Sequence, residues 1–230
     1  MVQECVPESL NLKRTVFAQA EEFVDPQTVL GTNTSSLSVT EIANGCRYRD
    51  RVIGVHWISP AYLIPVVEVI RGQDTSDAVV ETVRDILRLC DRTPIVCQKE
   101  LPGFIFNRLQ HVLLNEALFL VSEGYVSRED VDDIVRWGMA PRLALWGPMR
   151  LNDLVVNKKT TQAAGNYIHR TTGDARFRPA RLLDQAVQQG RLGIDCGAGF
   201  YDYDLGEKPQ ILRDRDSRLK RILSFLRDLV

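Results

Sequence analysis

Pro102-Gly103 divides the 230-residue sequence into two parts of different patterning, and this change constrains the fold more than any other feature. Before it, helix-like and strand-like segments alternate; after it, only helical patterning remains. Residues 9–23 repeat apolar side chains at helical spacing, and Pro26 closes that segment. Three β-branched runs follow, at 29–33, 51–57 and 65–70. In DTSDAVVETVRDILRLC, Thr75 or Ser76 stands as N-cap, and positions 79, 83, 86, 87 and 90 share one face. A short strand at 94–97 completes the first part. Beyond Gly103 the sequence predicts a long apolar-rich helix over 104–123 stopped by Gly124, and a second from the Ser127 cap to Gly138. A third runs through ARLLDQAVQQ to Gly190, and a last, over about 209–229, carries Leu219, Ile222, Leu223 and Leu226 on one side. The expected organisation is α/β over residues 1–100 followed by all-α over 101–230.

Charge and cysteine content narrow the function classes. Lys plus Arg number 29 and Asp plus Glu 30, so no global basic field exists to hold nucleic acid or an anionic membrane, and neither partner is expected. No apolar run reaches the roughly 18 residues of a membrane span. The opening MVQECVPESLNLK carries acids and no apolar core, so it does not read as a signal peptide. Cys5, Cys46, Cys90, Cys97 and Cys196 lie scattered and read as reduced, mostly buried thiols of a cytoplasmic protein. His56, His111 and His169 share no short spacing with a cysteine, so no metal is expected.

One pair of residues carries chemistry. If 51–57 and 65–70 fold back on each other about residue 62, in the turn-rich ISPAYLIP, then His56 and Glu68 face each other directly. A carboxylate against an imidazole fixes the ring's tautomer and stabilises the imidazolium, which suits a general base near neutral pH. A structural His–Glu brace between two strands is the competing reading. Gly31-Thr32-Asn33-Thr34-Ser35-Ser36 follows a strand, where open α/β sheets present ligand groups, although Ser36 or Ser38 also suits an N-cap. Asn107, about one turn into the 104–123 helix, could reach back over the sheet edge.

Taken together, TNTSSLSVTEIA (32–43), VIGVHWISP (52–60), VVEVIRG (66–72), PGFIFNRL (102–109), WGP (146–148) and GRLGIDCGAGFYDY (190–203) resemble the 3-hydroxyacyl-CoA dehydrogenase family. HWISPAYLIPVVEVIRG, NRLQ and RDRDSRLKRIL are also similar to relatives acting on carnitine or gulonate. The resemblance implies NAD-dependent oxidation of a 3-hydroxyacyl-CoA or related 3-hydroxy acid, in fatty-acid metabolism, by a homodimer. It implies a Rossmann-like NAD-binding domain and a C-terminal helical domain. By it His56 is the base and Glu68 its orienting partner, with Ser35 and Asn107 shaping the site around the reacting oxygen. Glu4, Lys13, Asn33 and Ser35 would line the cofactor's pocket.

Several positions depart from that pattern. No GxGxxG occurs; Gly197 and Gly199 are the only glycines two apart, Asp202 stands where the third should be, and a turn is their simpler reading. About a hundred residues precede the helical part, fewer than a six-strand dinucleotide domain needs. The expectation is an incomplete NAD domain entered just after a strand, with the glycine-rich segment encoded upstream or supplied as a separate N-terminal segment. The isolated chain is then expected to bind NAD weakly or not at all. Ser59, Arg150, Val156-Asn157-Lys158 and Asp195 also differ from the family's usual residues. A non-catalytic remnant, serving as an association module, is the alternative. The 104–123 helix is apolar on more than one face, which points to self-association or to a central buried helix.

Overall fold

The computed structural model describes residues 1–229. Five strands form one mixed sheet in sequential order: β1 (Val2–Glu4), β2 (Leu30–Thr32), β3 (Val52–Trp57), β4 (Val66–Arg71) and β5 (Thr93–Cys97). The first three run parallel, connected by α1 (Leu10–Phe23) and α2 (Val39–Ala43). β4 turns back antiparallel to β3, and β5 runs parallel to β4 after the crossover helix α3 (Asp77–Leu89).

Strand alternation sorts the core into two faces. Val52 and Ile70 pack with Phe17, Val39, Ile42 and Phe104 on one side. Ile53, Val55, Val67 and Val69 pack with Val80, Val83 and Leu87 on the other. Burial on both faces explains why these strands read as near-continuous apolar runs. The even positions of β3 and β4 put His56 and Glu68 on the same face as Val52 and Ile70. On that face a Cβ at Gly54 would lie 2.9 Å from Ile70 Cβ and 3.0 Å from Val39 Cγ2, so glycine is what admits α2.

The chain divides into two compact units, Met1–Phe119 and Leu120–Val230. The first ends in most of α4 (Phe106–Ser122). The second contains α5 (Arg128–Asp133), α6 (Ala140–Val155), α7 (Lys158–Thr172), α8 (Arg181–Gln188) and α9 (Lys208–Asp228). A five-strand sheet with helices, followed by helices alone, is the expected fold class: a Rossmann-like domain and a C-terminal helical domain. No helix among the described residues is long and apolar enough to cross a membrane.

The structure corrects three local expectations and adds one helix. Gly138 does not stop the helix that Ser127 begins; the chain passes through a π-helical turn, Ile134–Met139, straight into α6. The break falls later, at Gly147 (φ 67°) before Pro148, where a left-handed residue and a missing N–H coincide. Helix α7 was not anticipated, because KKTTQAAGNYIHRTT has few apolar positions; its signals were the Asn157 cap, accepting from Lys159 N, and the left-handed Gly173 stop. Residues 2–4 are themselves a strand, not a segment following one. Of the cysteines only Cys46 and Cys97 are buried; Cys5, Cys90 and Cys196 sit just past an edge strand, at a helix end and in a loop, where no core covers them.

Within the second unit Asp153 organises the 190–203 loop. Its carboxylate accepts from the backbone amides of Phe200 and Tyr201, the Tyr203 hydroxyl and the Lys158 ammonium. Both charged side chains are fully buried, and the ammonium stands 4.1 Å from the Phe200 ring centroid. Burial pushes the Asp153 carboxyl up, but the bonds from Lys158, Phe200 and Tyr201 outweigh it and leave it below the ordinary range.

Candidate active site

The antiparallel register of β3 and β4 pairs His56 with Glu68, the arrangement the twelve-residue spacing predicts. Nδ1 of His56 lies 2.8 Å from Oε2 of Glu68, with the residues 5% and 2% exposed. An ionised carboxylate only accepts, so in the neutral imidazole Nδ1 carries the proton and Nε2 keeps its lone pair. No protein partner occupies Nε2 among the described residues. The other oxygen of Glu68 accepts from the backbone amides of Ile105 and Phe106, both at 2.9 Å. Glu68 thus satisfies two otherwise orphaned donors at the start of α4 as well as the imidazole. Burial pushes the Glu68 carboxyl up; the bonds from His56, Phe106 and Ile105 outweigh it and hold the group below the usual carboxylate range.

The loop after β2 meets this pair. Asn33 Oδ1 accepts from the backbone amide of Trp57, the residue after His56, at 2.9 Å. Asn107 Nδ2 donates to the backbone oxygen of Ser35 at 2.9 Å, tying α4 to the loop. Asn33 Nδ2 and Ser35 Oγ have no protein partner among the described residues. The structure therefore brings His56, Glu68, Asn33, Ser35 and Asn107 to one end of the sheet, at the carboxyl ends of β2 and β3.

Glu4 and Lys13 take a different place. Lys13 is 1% exposed, and its ammonium bonds both Glu4 oxygens, at 2.9 and 3.1 Å. Glu4 also accepts from Thr32 Oγ1 at 2.7 Å, and Lys13 donates to the Val6 oxygen at 3.0 Å. The two form a buried pair that anchors the ends of β1 and β2, with their polar atoms spent on protein partners.

Two residues of the site escaped the sequence reading. Oε1 of Glu8 accepts from the Thr34 hydroxyl (2.6 Å), the amides of Ser35 and Ser36 (3.0 Å each) and the Ser36 hydroxyl (3.1 Å). Burial pushes the Glu8 carboxyl up, yet these bonds outweigh it and lower it. Its partners lie 26 to 28 residues away, so local pattern carries no trace of the contact. Phe104, read as part of a helix, instead packs its ring against His56, with centroids 5.7 Å apart. Pro102-Gly103 before it was the signal of a turn. Among the described residues no group of three or more His, Cys, Asp or Glu could hold a metal.

Comparison with known proteins agrees across nearly the whole chain. Residues 1–101 match the family described as 3-hydroxyacyl-CoA dehydrogenase, NAD binding domain, and residues 103–203 match its C-terminal domain. A probable 3-hydroxybutyryl-CoA dehydrogenase of Deinococcus radiodurans is 36% identical over 203 residues, covering 88% of this chain and 71% of that protein. The 5-formyl-3-hydroxy-2-methylpyridine 4-carboxylate 5-dehydrogenase of Mesorhizobium japonicum is 29% identical over 226 residues, covering 98% of this chain and 72% of the relative. The crystal structure of a 3-hydroxyacyl-CoA dehydrogenase from Archaeoglobus fulgidus superimposes with a TM-score of 0.86 at 31% identity, over 98% of this chain and 76% of that one.

Proposed function

The chain belongs to the 3-hydroxyacyl-CoA dehydrogenase family, and from that premise we propose that His56 is the general base of an NAD-dependent oxidation, with Glu68 as its orienting partner. It is an NAD-dependent oxidoreductase of the 3-hydroxyacyl-CoA dehydrogenase type. The substrate we assign is a 3-hydroxyacyl-CoA or a related 3-hydroxy acid, as in fatty-acid metabolism. One observation carries the reading: the buried 2.8 Å contact between His56 Nδ1 and Glu68 leaves Nε2 as an unspent acceptor.

The donor set suits the nicotinamide end of the cofactor. Asn33 Nδ2 and Ser35 Oγ lie unspent at the carboxyl ends of parallel strands, where such sheets bind dinucleotides. We assign Asn33 and Ser35 to that end, and Glu4 and Lys13 to the buried bracket that holds the strand ends. Residues 1–230 contain no GxGxxG phosphate turn.

When bound, NAD supplies the hydride acceptor. Nε2 of His56 takes the proton of the substrate hydroxyl, and Glu68 stabilises the imidazolium through Nδ1–H. The Ile105 and Phe106 amides on the other Glu68 oxygen keep that carboxylate ionised, so the proton stays on the imidazole. In the reverse direction the imidazolium protonates the carbonyl oxygen. Ser35 donates to the reacting oxygen, and Asn107 holds the Ser35 backbone in place.

We take the functional boundary near residue 100, a homodimer as the working form and the cytoplasm as its location. Scattered free thiols support the last, and exposed apolar positions on α4 support the second. The test is NADH-dependent reduction of acetoacetyl-CoA by the native chain and by His56→Gln. Activity in the native protein alone supports the reading; equal activity in both overturns it. The exposed apolar positions on α4 favour a second reading, a non-catalytic association module. Absence of any NADH binding would select it.

A further inference from the structure

The Pro102-Gly103-Phe104 turn holds two successive residues in the left-handed region, Gly103 at φ 78° and Phe104 at φ 50°. Glycine takes that conformation freely; a bulky residue does not. Yet Phe104 is 1% exposed, with its side chain enclosed. Two arrangements depend on the turn. The amides of Ile105 and Phe106 converge on one oxygen of Glu68. The Phe104 ring stands 5.7 Å from the His56 imidazole at an interplanar angle of 57°. A glycine at 104 would make the same turn without strain, so the strain is tolerated for the side chain.

We propose that Phe104 is a positioning residue for His56, its ring walling the imidazole so that Nδ1 stays on Glu68 and Nε2 stays free. The need for such a wall is physical. The torsion that orients a histidine ring has a broad, roughly two-fold profile, so one hydrogen bond leaves the ring room to rock or flip. A flip would replace Nδ1 with a carbon and strand the buried carboxylate. An aromatic neighbour removes that freedom and keeps water from competing for Glu68. The proposal rests on the assignment of His56 as the base.

The chain contains three histidines, so nuclear magnetic resonance can follow each imidazole, with His56→Gln identifying the site signal. In the native chain the His56 Nδ1 proton should appear as an exchange-protected resonance. Phe104→Leu keeps bulk without a ring, and Phe104→Gly relieves the backbone strain. Both should leave the circular dichroism and the His111 and His169 titrations unchanged while the His56 Nδ1 proton signal is lost. In acetoacetyl-CoA reduction with NADH, kcat should fall by about tenfold or more with KM little changed. Persistence of the protected signal in either folded variant, or its absence from the native chain, overturns the proposal. If one variant fails to fold, the other decides. Should His56→Gln retain full activity, the base assignment fails, while the resonance still decides the positioning claim.

Discussion

Oε2 of Glu68 lies 2.8 Å from Nδ1 of His56, and the two residues are direct register partners across the β3–β4 pair. A one-residue slip of either strand would send one of them to the opposite face. The apolar positions on both faces, Val55 with Val69 and Gly54 with Ile70, hold that register, so the geometry of the pair is secured by the core.

His56→Gln should lower kcat for acetoacetyl-CoA reduction by about 10²–10⁴-fold, the usual weight of general acid–base catalysis. NADH affinity, followed by fluorescence, should not change. Loss of both together would instead mean that the variant disturbs the fold.

Acid should destabilise the protein through Glu68 and Asp153. Burial pushes both carboxyls up, but their hydrogen-bond partners leave both below the ordinary range. A folded-state value lower than the unfolded one gives stability that is complete above the ordinary carboxylate range and is lost as pH falls through the lowered values. Tm should stay level down to about pH 5 and drop below about pH 4. Asp153→Asn should start from a lower Tm and show a shallower acid decline. An acid limb as steep as that of the native chain would contradict this account.

Lys158→Met leaves the buried Asp153 carboxylate without its ion partner and should cost about 3–5 kcal/mol, read as a shift in the urea midpoint. Gly199→Ala should be similarly damaging. A Cβ there would overlap the Asp153 carboxylate, which is already fixed by its bonds. A native-like midpoint for either variant would mean that the 190–203 loop can move away from Asp153.

Leu109, Val112 and Leu118 on α4 are 63%, 60% and 58% exposed, too much apolar surface on one helix to face water. Light scattering at micromolar concentration should report a dimer. Leu109→Arg with Val112→Arg should give a monomer with unchanged secondary structure. A native monomer would remove the assigned oligomeric state.

Local pattern determined much of this protein. Alternating β-branched runs, the Ser76, Ser38 and Ser127 caps and the helical periodicities fix where most elements begin, because each depends on neighbours within a few residues. The His56–Glu68 pair was legible for the same reason: a short hairpin converts sequence distance into register. Tertiary structure decided what those atoms do. The second oxygen of Glu68 finds the Ile105 and Phe106 amides 37 and 38 residues away, and Glu8 gathers a loop 26 to 28 residues away. Lys13, placed by the resemblance in the cofactor's pocket, is held by Glu4 as a buried ion pair that no local pattern records. The left-handed Phe104 and the Asp153–Lys158 pair are likewise set by packing partners remote in sequence. Periodicity records which face of an element is apolar; it carries no information about which distant polar group will meet it.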